Sequence, residues 1–158
     1  MRLTSFSDYA LRMLMYAASN GDVPFTIDTV ARMFGASKPH LSKVANTLTR
    51  GGFLKAVRGR SGGLMLARDV ADVRVGDVVR MTEPDFSVVE CFATGSQCVI
   101  RGRCKLSGMM GEAVDAFLAT LDRYTLADIM LEPGAFGMVP PDRPPRPRRA
   151  YTRRPAAG

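Results

Sequence analysis

Between Ser5 and Ala67, glycines and helix caps divide the chain into three short amphipathic helices followed by two apolar strands, an order that leaves little choice of fold. Residues 5–19 place Phe6, Tyr9, Ala10, Met13, Leu14 and Ala17 on one face at helical spacing, and Gly21–Asp22 ends the run. Thr26 is a good N-cap, because its hydroxyl can accept a free N–H of the first turn. It opens a second helix through about Phe34, with Ile27, Val30, Ala31 and Phe34 inward. Gly35–Ala36 makes a tight turn, and Ser37 caps a third helix through about Arg50. Pro39 is tolerated there, since the first turn needs no intrahelical N–H bond. Leu41, Val44, Ala45 and Leu48 face in, while Lys38, His40, Ser42, Lys43, Asn46 and Thr47 face out. Gly51–Gly52 stops the helix, and Phe53–Val57 and Leu64–Ala67 read as strands around a glycine-rich tip. The sequence predicts a mainly α chain, a winged helix-turn-helix with a two-stranded β wing.

The remainder divides into recognisable segments. Val75–Thr82 reads as a short helix, and from Leu106 the apolar positions Leu106, Met110, Ala113, Phe117, Leu121 and Tyr124 step by three or four along one stripe. A helix of that length can serve as a dimer seam. Beyond Pro133 the chain is Pro- and Arg-rich and cannot bury a core, so it reads as disordered. The expected organisation is a DNA-binding domain over 1–72, a short helix and cysteine loop over 73–104, a C-terminal dimerisation helix over 105–132 and a tail over 133–158.

Charge separates these segments. The 158 residues carry a net +7. Residues 26–68 hold eight basic side chains against the single acid Asp28, residues 69–132 are net −5, and the tail is net +5. A basic stripe confined to one module is the footprint of polyanion binding. Paired amphipathic helices also occur in all-α domains that never meet DNA, but here the outer face of the third helix is cationic and polar. The expected contacts to double-stranded DNA are Lys38, Pro39, His40, Ser42, Lys43 and Asn46 from that helix, with Arg58, Arg60 and Ser61 from the hairpin tip. Whether the arginines read guanine edges or grip phosphate stays open. The tail either adds nonspecific DNA affinity or merely solubilises. No apolar run approaches the roughly 18 residues of a membrane span. The short run Met13–Ala18 belongs to an amphipathic pattern with Asp8 and Arg12 rather than to a signal peptide. A cytoplasmic protein without membrane association is expected, a setting in which cysteines stay reduced.

Cys91, Cys98 and Cys104 are the only cysteines. Three cannot all enter a closed disulfide framework. They lie in a polar, glycine-containing stretch, and three thiolates on one loop can wrap a metal or an iron–sulfur cluster with one coordination position left over. Their spacing is looser than a zinc knuckle and no second pair completes a four-cysteine site. Zinc with a fourth ligand and idle thiols both remain open, with an iron–sulfur cluster the favoured occupant. His40, the only histidine, is remote in sequence and poorly placed as a ligand. No paired carboxylates or nucleophile–base pair appear, and R-G-R-S-G-G lacks the Lys-Ser/Thr ending of a phosphate loop, so no enzyme is expected.

The opening M-R-L-T-S-F-S-D-Y-A-L-R, the wing R-G-R-S-G-G, the run G-D-V-V-R-x-x-E and the three spaced cysteines together resemble the Rrf-two family of winged-helix regulators, from Met1 to about Leu131. The segments P-H-L-S-K-V and L-D-R-Y-T-L-A-D-I most resemble its nitric-oxide-sensing repressors. The resemblance implies a homodimer on pseudo-palindromic operators of nitric-oxide detoxification genes, and a 4Fe–4S cluster in each subunit, with 2Fe–2S as the alternative. It also implies a carboxylate ligand supplied by the partner subunit, and Asp8 matches that position. Ser107 stands where other members of the family place a histidine ligand. Asp8 has a second reading, since Ser5-x-x-Asp8 is also the pattern of a capping box on the first helix. An iron-responsive repressor on the same framework is the alternative function, and a zinc-stapled DNA-binding regulator another.

Overall fold

The computed structural model describes residues 2–59, 62–93, 95–100 and 103–137. Helix α1 (Ser5–Asn20) runs through the middle of the fold, with Ala10, Met13, Leu14 and Ala17 at most 1% exposed. Its N-cap is Thr4, whose Oγ1 accepts the Ser7 N–H at 3.3 Å. This corrects the capping box read at Ser5 and Asp8. With Thr4 as cap, Ser7 rather than Asp8 occupies the third helical position where such a box needs its carboxylate. Glu83, from a different element, supplies the carboxylate instead. Its Oε1 accepts the Thr4 N–H at 2.8 Å and the Thr4 hydroxyl at 3.1 Å.

Helix α2 (Ile27–Phe34) is capped by Thr26, whose hydroxyl accepts the Thr29 N–H at 3.2 Å. It ends at Gly35, which adopts a left-handed φ of 60° that a glycine reaches without a Cβ clash. Helix α3 (Lys38–Arg50) then buries Leu41, Val44 and Leu48 completely. Strands β1 (Leu54–Val57) and β2 (Gly63–Leu66) pair antiparallel, with Leu54 opposite Leu66. Strand β1 starts one residue later than the apolar pattern predicts, and β2 keeps its predicted length but is shifted one residue toward the tip. Phe25 bridges to Leu64 on the free edge of β2 and so ties the wing to the turn after α1. The observed fold is mostly helical with one two-stranded antiparallel sheet, as the sequence predicts.

Helix α4 (Val75–Thr82) lies against both α1 and α5 (Lys105–Asp122). Arg80 grips Asp122 with two hydrogen bonds of 2.6 and 2.7 Å. Gly76 leaves room for this pair, because a Cβ there would displace the Asp122 carboxylate from its present position. The single helix expected over 105–132 is two. Thr125 and Asp128 form a capping box that starts α6 (Leu126–Ile129), and the Leu126 N–H is drawn to the Val73 carbonyl at 2.8 Å. Along α5 Val114 is buried, whereas Leu106 and Met109 stand 51% and 65% exposed. The expected disorder from residue 133 also begins too early. Pro133–Phe136 forms a 3₁₀ turn that seats Phe136 edge-on to Tyr16, centroids 5.6 Å apart. Residues 138–158, where the rest of the predicted tail falls, lie outside the described residues. No helix among the described residues is long and apolar enough to cross a membrane.

Two outcomes follow from this packing. Leu48→Ala empties a fully enclosed site and costs about 2–5 kcal/mol in urea-induced unfolding, by analogy with other large-to-small core changes. The Arg80 hydrogen bond holds the Asp122 carboxyl below its usual range. A carboxyl depressed on folding stabilises above its unfolded pKa and loses that contribution as pH falls through the folded-state value. The wild type therefore unfolds at higher urea than Asp122→Asn at neutral pH, and the gap closes on acidification below about pH 4.

Candidate functional site

The outer face of α3 begins one residue after Ser37, where the chain leaves an extended conformation and enters the helix. Lys38, Pro39, Lys43 and Asn46 are exposed and Ser42 is half-buried. Lys38 forms an ion pair with Asp28 of α2, so one of the expected cations is already engaged inside the fold. Arg58 is exposed at the wing, beyond the end of β1. Arg60 and Ser61 lie outside the described residues. His40 is not on this outer face. Its ring packs against Phe6 and Tyr9 of α1, with centroids at 5.9 and 5.4 Å, and its Nε2 is buried without a hydrogen-bond partner. The physical reason is its place at the border of the buried stripe, where two α1 rings offer more contact than water does. Arg68, counted among the basic residues of this segment, is exposed but already engaged with the chain's own backbone. It donates to the carbonyls of Gly52 and Gly51 at 2.9 and 3.0 Å, closing the C-terminal end of α3, and stacks on Phe53.

The three cysteines converge. Cys91, Cys98 and Cys104, with Phe92 and Ser107, line one cavity of about 210 Å³. Each thiol is free and half-buried. Cys91 sits in a 3₁₀ turn (Glu90–Phe92), and the N–H of Cys98 is held by Ser96 Oγ at 3.3 Å. Cys104 is the N-cap of α5, and Ser107 Oγ donates back to its carbonyl at 2.8 Å. Among the described residues the lining carries soft sulfur donors and an aromatic ring with no charged side chain, a set suited to thiophilic iron rather than to a hard cation. Among the described residues no three His, Cys, Asp or Glu side chains group closely enough to hold a single metal ion.

Asp8 does not line the cysteine cavity of its own chain. It projects from the first turns of α1 and pairs with Arg12, one turn on, through contacts of 3.0 and 2.9 Å. Both side chains are about half exposed. Such an i,i+4 surface pair contributes only about 0.3–0.5 kcal/mol, so it does not lock the carboxylate.

Sequence reasoning overlooked Phe92 in the cavity lining, although it follows Cys91 directly, and noted Ser107 only as standing where other members of the family place a histidine. It noted Glu83 only as part of a motif. Nothing local to Glu83 or Thr4 signals a hydrogen bond spanning 79 residues.

Comparison with known proteins gives a consistent picture. The family model Rrf2, described as an iron-dependent transcriptional regulator, matches residues 3–132. The HTH-type transcriptional regulator NsrR of Geobacillus kaustophilus (strain HTA426) is 42% identical over 132 residues, covering 82% of this chain and 90% of that protein. The regulator of the same name from Bacillus subtilis (strain 168) is 43% identical over 133 residues, with the same coverage. Among solved structures, T. potens IscR superposes with a TM-score of 0.66 at 26% identity, over 82% of this chain and 85% of that one. CymR, the global cysteine regulator of B. subtilis, shares the fold with a TM-score of 0.60 at 22% identity, over 82% of this chain and 95% of that one.

Lys43 and Arg58 are exposed cations on the two arms of the candidate interface. Replacing both with Ala flattens the slope of log affinity against log salt for duplex DNA by about two, one counterion per lost phosphate contact. Fluorescence anisotropy across a salt series measures this, with the unfolding midpoint as the control for folding.

Proposed function

Because the chain belongs to the Rrf2 family of transcriptional regulators, we propose that it is a cytoplasmic, homodimeric repressor whose hold on operator DNA depends on an iron–sulfur cluster and is released by nitric oxide. The observation that carries this reading is the meeting of Cys91, Cys98 and Cys104 around one cavity in a chain of this family. The resemblance of P-H-L-S-K-V and L-D-R-Y-T-L-A-D-I to the family's nitric-oxide-sensing repressors directs it toward nitric oxide.

The thiolates of Cys91, Cys98 and Cys104 would hold the cluster, taken as 4Fe–4S with 2Fe–2S as the alternative, and Asp8 of the partner subunit would supply the fourth ligand. When bound, the cluster would supply iron able to react with a diatomic ligand, and a carboxylate ligand suits such iron less well than thiolate does. The sequence spacing of the three cysteines, looser than a zinc knuckle and with no second pair to complete a four-cysteine site, supports a cluster over a zinc staple. The exposed apolar side chains of α5, Leu106 and Met109, support that helix as the seam between subunits.

The residues of the chain divide the work. Asp8 has two competing partners, Arg12 in its own helix and the cysteine site of the neighbouring subunit. Its carboxylate returns to Arg12 whenever the other site lets go, at little cost. Because α1 is packed against α3, a change in how α1 is held changes the spacing of the two recognition helices across the dimer. Half-sites on a two-fold operator lie about one helical turn apart, so a small change in spacing lowers affinity.

The family's description as iron-dependent favours a second reading, in which iron supply rather than nitric oxide is the signal. One experiment separates the two. An operator duplex is selected from a randomised pool using anaerobically purified protein, and nitric oxide or an iron chelator is then titrated while visible absorbance and DNA binding are followed together. Loss of both with nitric oxide at chelator-insensitive iron content supports the reading given first. Loss with mild chelator alone supports the second. A colourless protein containing zinc refutes both. Cys98→Ala is expected to purify with iron and sulfide reduced at least several-fold, with helix content unchanged by circular dichroism.

A further inference from the structure

The sole histidine of the chain lies in an unusual setting. His40 belongs to the first turn of α3, between the exposed Pro39 and the buried Leu41. Its ring occupies a seat made by Phe6 and Tyr9 of α1, and Tyr9 in turn stacks on Phe34 of α2 at 6.4 Å. Within that seat Nε2 has no hydrogen-bond partner, the only buried side-chain nitrogen or oxygen among the described residues so placed. A buried polar nitrogen without a partner is costly, because it has given up water and gained nothing. This packing is therefore a weak point in the α1–α3 contact rather than its strength. At about 100° per residue His40 sits roughly 60° around α3 from exposed Lys43, so an outward rotamer reaches the same side as the candidate DNA contacts.

We propose that His40 is a swing residue with two positions. In one, described above, the ring fills the Phe6–Tyr9 seat and holds α3 to α1. In the other, on DNA, the ring turns out and Nε2–H donates to a backbone phosphate beside the first turn of α3. Asp8 lies between Phe6 and Tyr9 in the same turns of α1, so whatever captures or releases Asp8 moves the seat. This inference rests on the proposed DNA-binding function and deepens it. The side chain that grips the phosphate is the one whose freedom α1 controls.

A chain with a single histidine gives a direct measurement. In protein labelled with ¹⁵N, the imidazole nitrogens of His40 are the only signals of their kind, and they are followed as the duplex selected above is added. The Nε2 signal is expected to move from the position of a nitrogen without a partner to that of a hydrogen-bonded donor. His40→Phe keeps an aromatic ring in the seat but cannot reach phosphate. It is expected to keep or raise the unfolding midpoint, since the unpartnered nitrogen is gone, and to lose about tenfold in operator affinity, as for one lost hydrogen bond to a charged group. His40→Gln restores a donor and is expected to recover most of that loss. A wild-type chain that binds no duplex overturns the DNA-binding reading and this inference with it. Duplex binding with a stationary imidazole signal and undiminished affinity in His40→Phe overturns this inference alone.

Discussion

The burial of α1 is the constraint on which the remaining structure depends. Ala10, Met13, Leu14 and Ala17 are enclosed because α3, α4, α6, β2 and the turn at Pro133–Phe136 all close on the same helix. No single neighbour could cover it, since an amphipathic helix hides one stripe and this one is covered on several sides. Its N-terminus is closed from outside as well, with the Thr4 N–H and hydroxyl both donated to Glu83. A helix buried in this way cannot shift without disturbing several packed surfaces at once, which makes it a suitable element to couple distant parts of the chain.

Helix α4 complements α1. Arg80 holds the C-terminal end of α5 through Asp122, and Glu83, just past the last turn of α4, holds the start of α1. The motif G-D-V-V-R-x-x-E thus places Gly76 where α5 approaches, Arg80 where it is gripped and Glu83 where α1 begins. The cysteine segment leaves directly from this bracket and returns to it through Cys104 at the N-terminus of α5. The candidate metal site and the candidate DNA face stand on different elements: the DNA face is on α3, which packs against α1, and the cysteine site is at the start of α5, which packs against α4 and through it meets α1.

Much of the fold was legible because its signals are local. Three helices and the hairpin follow from period-3.6 stripes, the cap at Thr26 and glycine stops, and their limits agree with the structure to within about two residues, the usual uncertainty of helix ends. Cys91, Cys98 and Cys104 were identifiable as candidates from residue type and spacing. What stayed hidden depended on contacts between distant segments. His40 read as an outward polar residue because periodicity cannot weigh a border position against the pull of Phe6 and Tyr9. The Ser5–Asp8 pattern matched a capping box whose carboxylate in fact comes from Glu83, 79 positions from the cap. Phe136 looked like part of a tail because its partner Tyr16 lies on α1.

The sequence by itself determined the order of elements, the basic character of the α3 segment and the soft donor chemistry of the cysteine loop, since each is a property of residue type and short-range spacing. Tertiary structure alone decided which of those residues are free to act. It engages Lys38 with Asp28, turns Arg68 onto the end of α3 and seats His40 against α1 with an unpartnered nitrogen. It also brings three half-exposed thiols to one cavity. The physical reason is the same throughout. Burial and hydrogen bonding depend on what lies across the space from a side chain, and no local pattern records that.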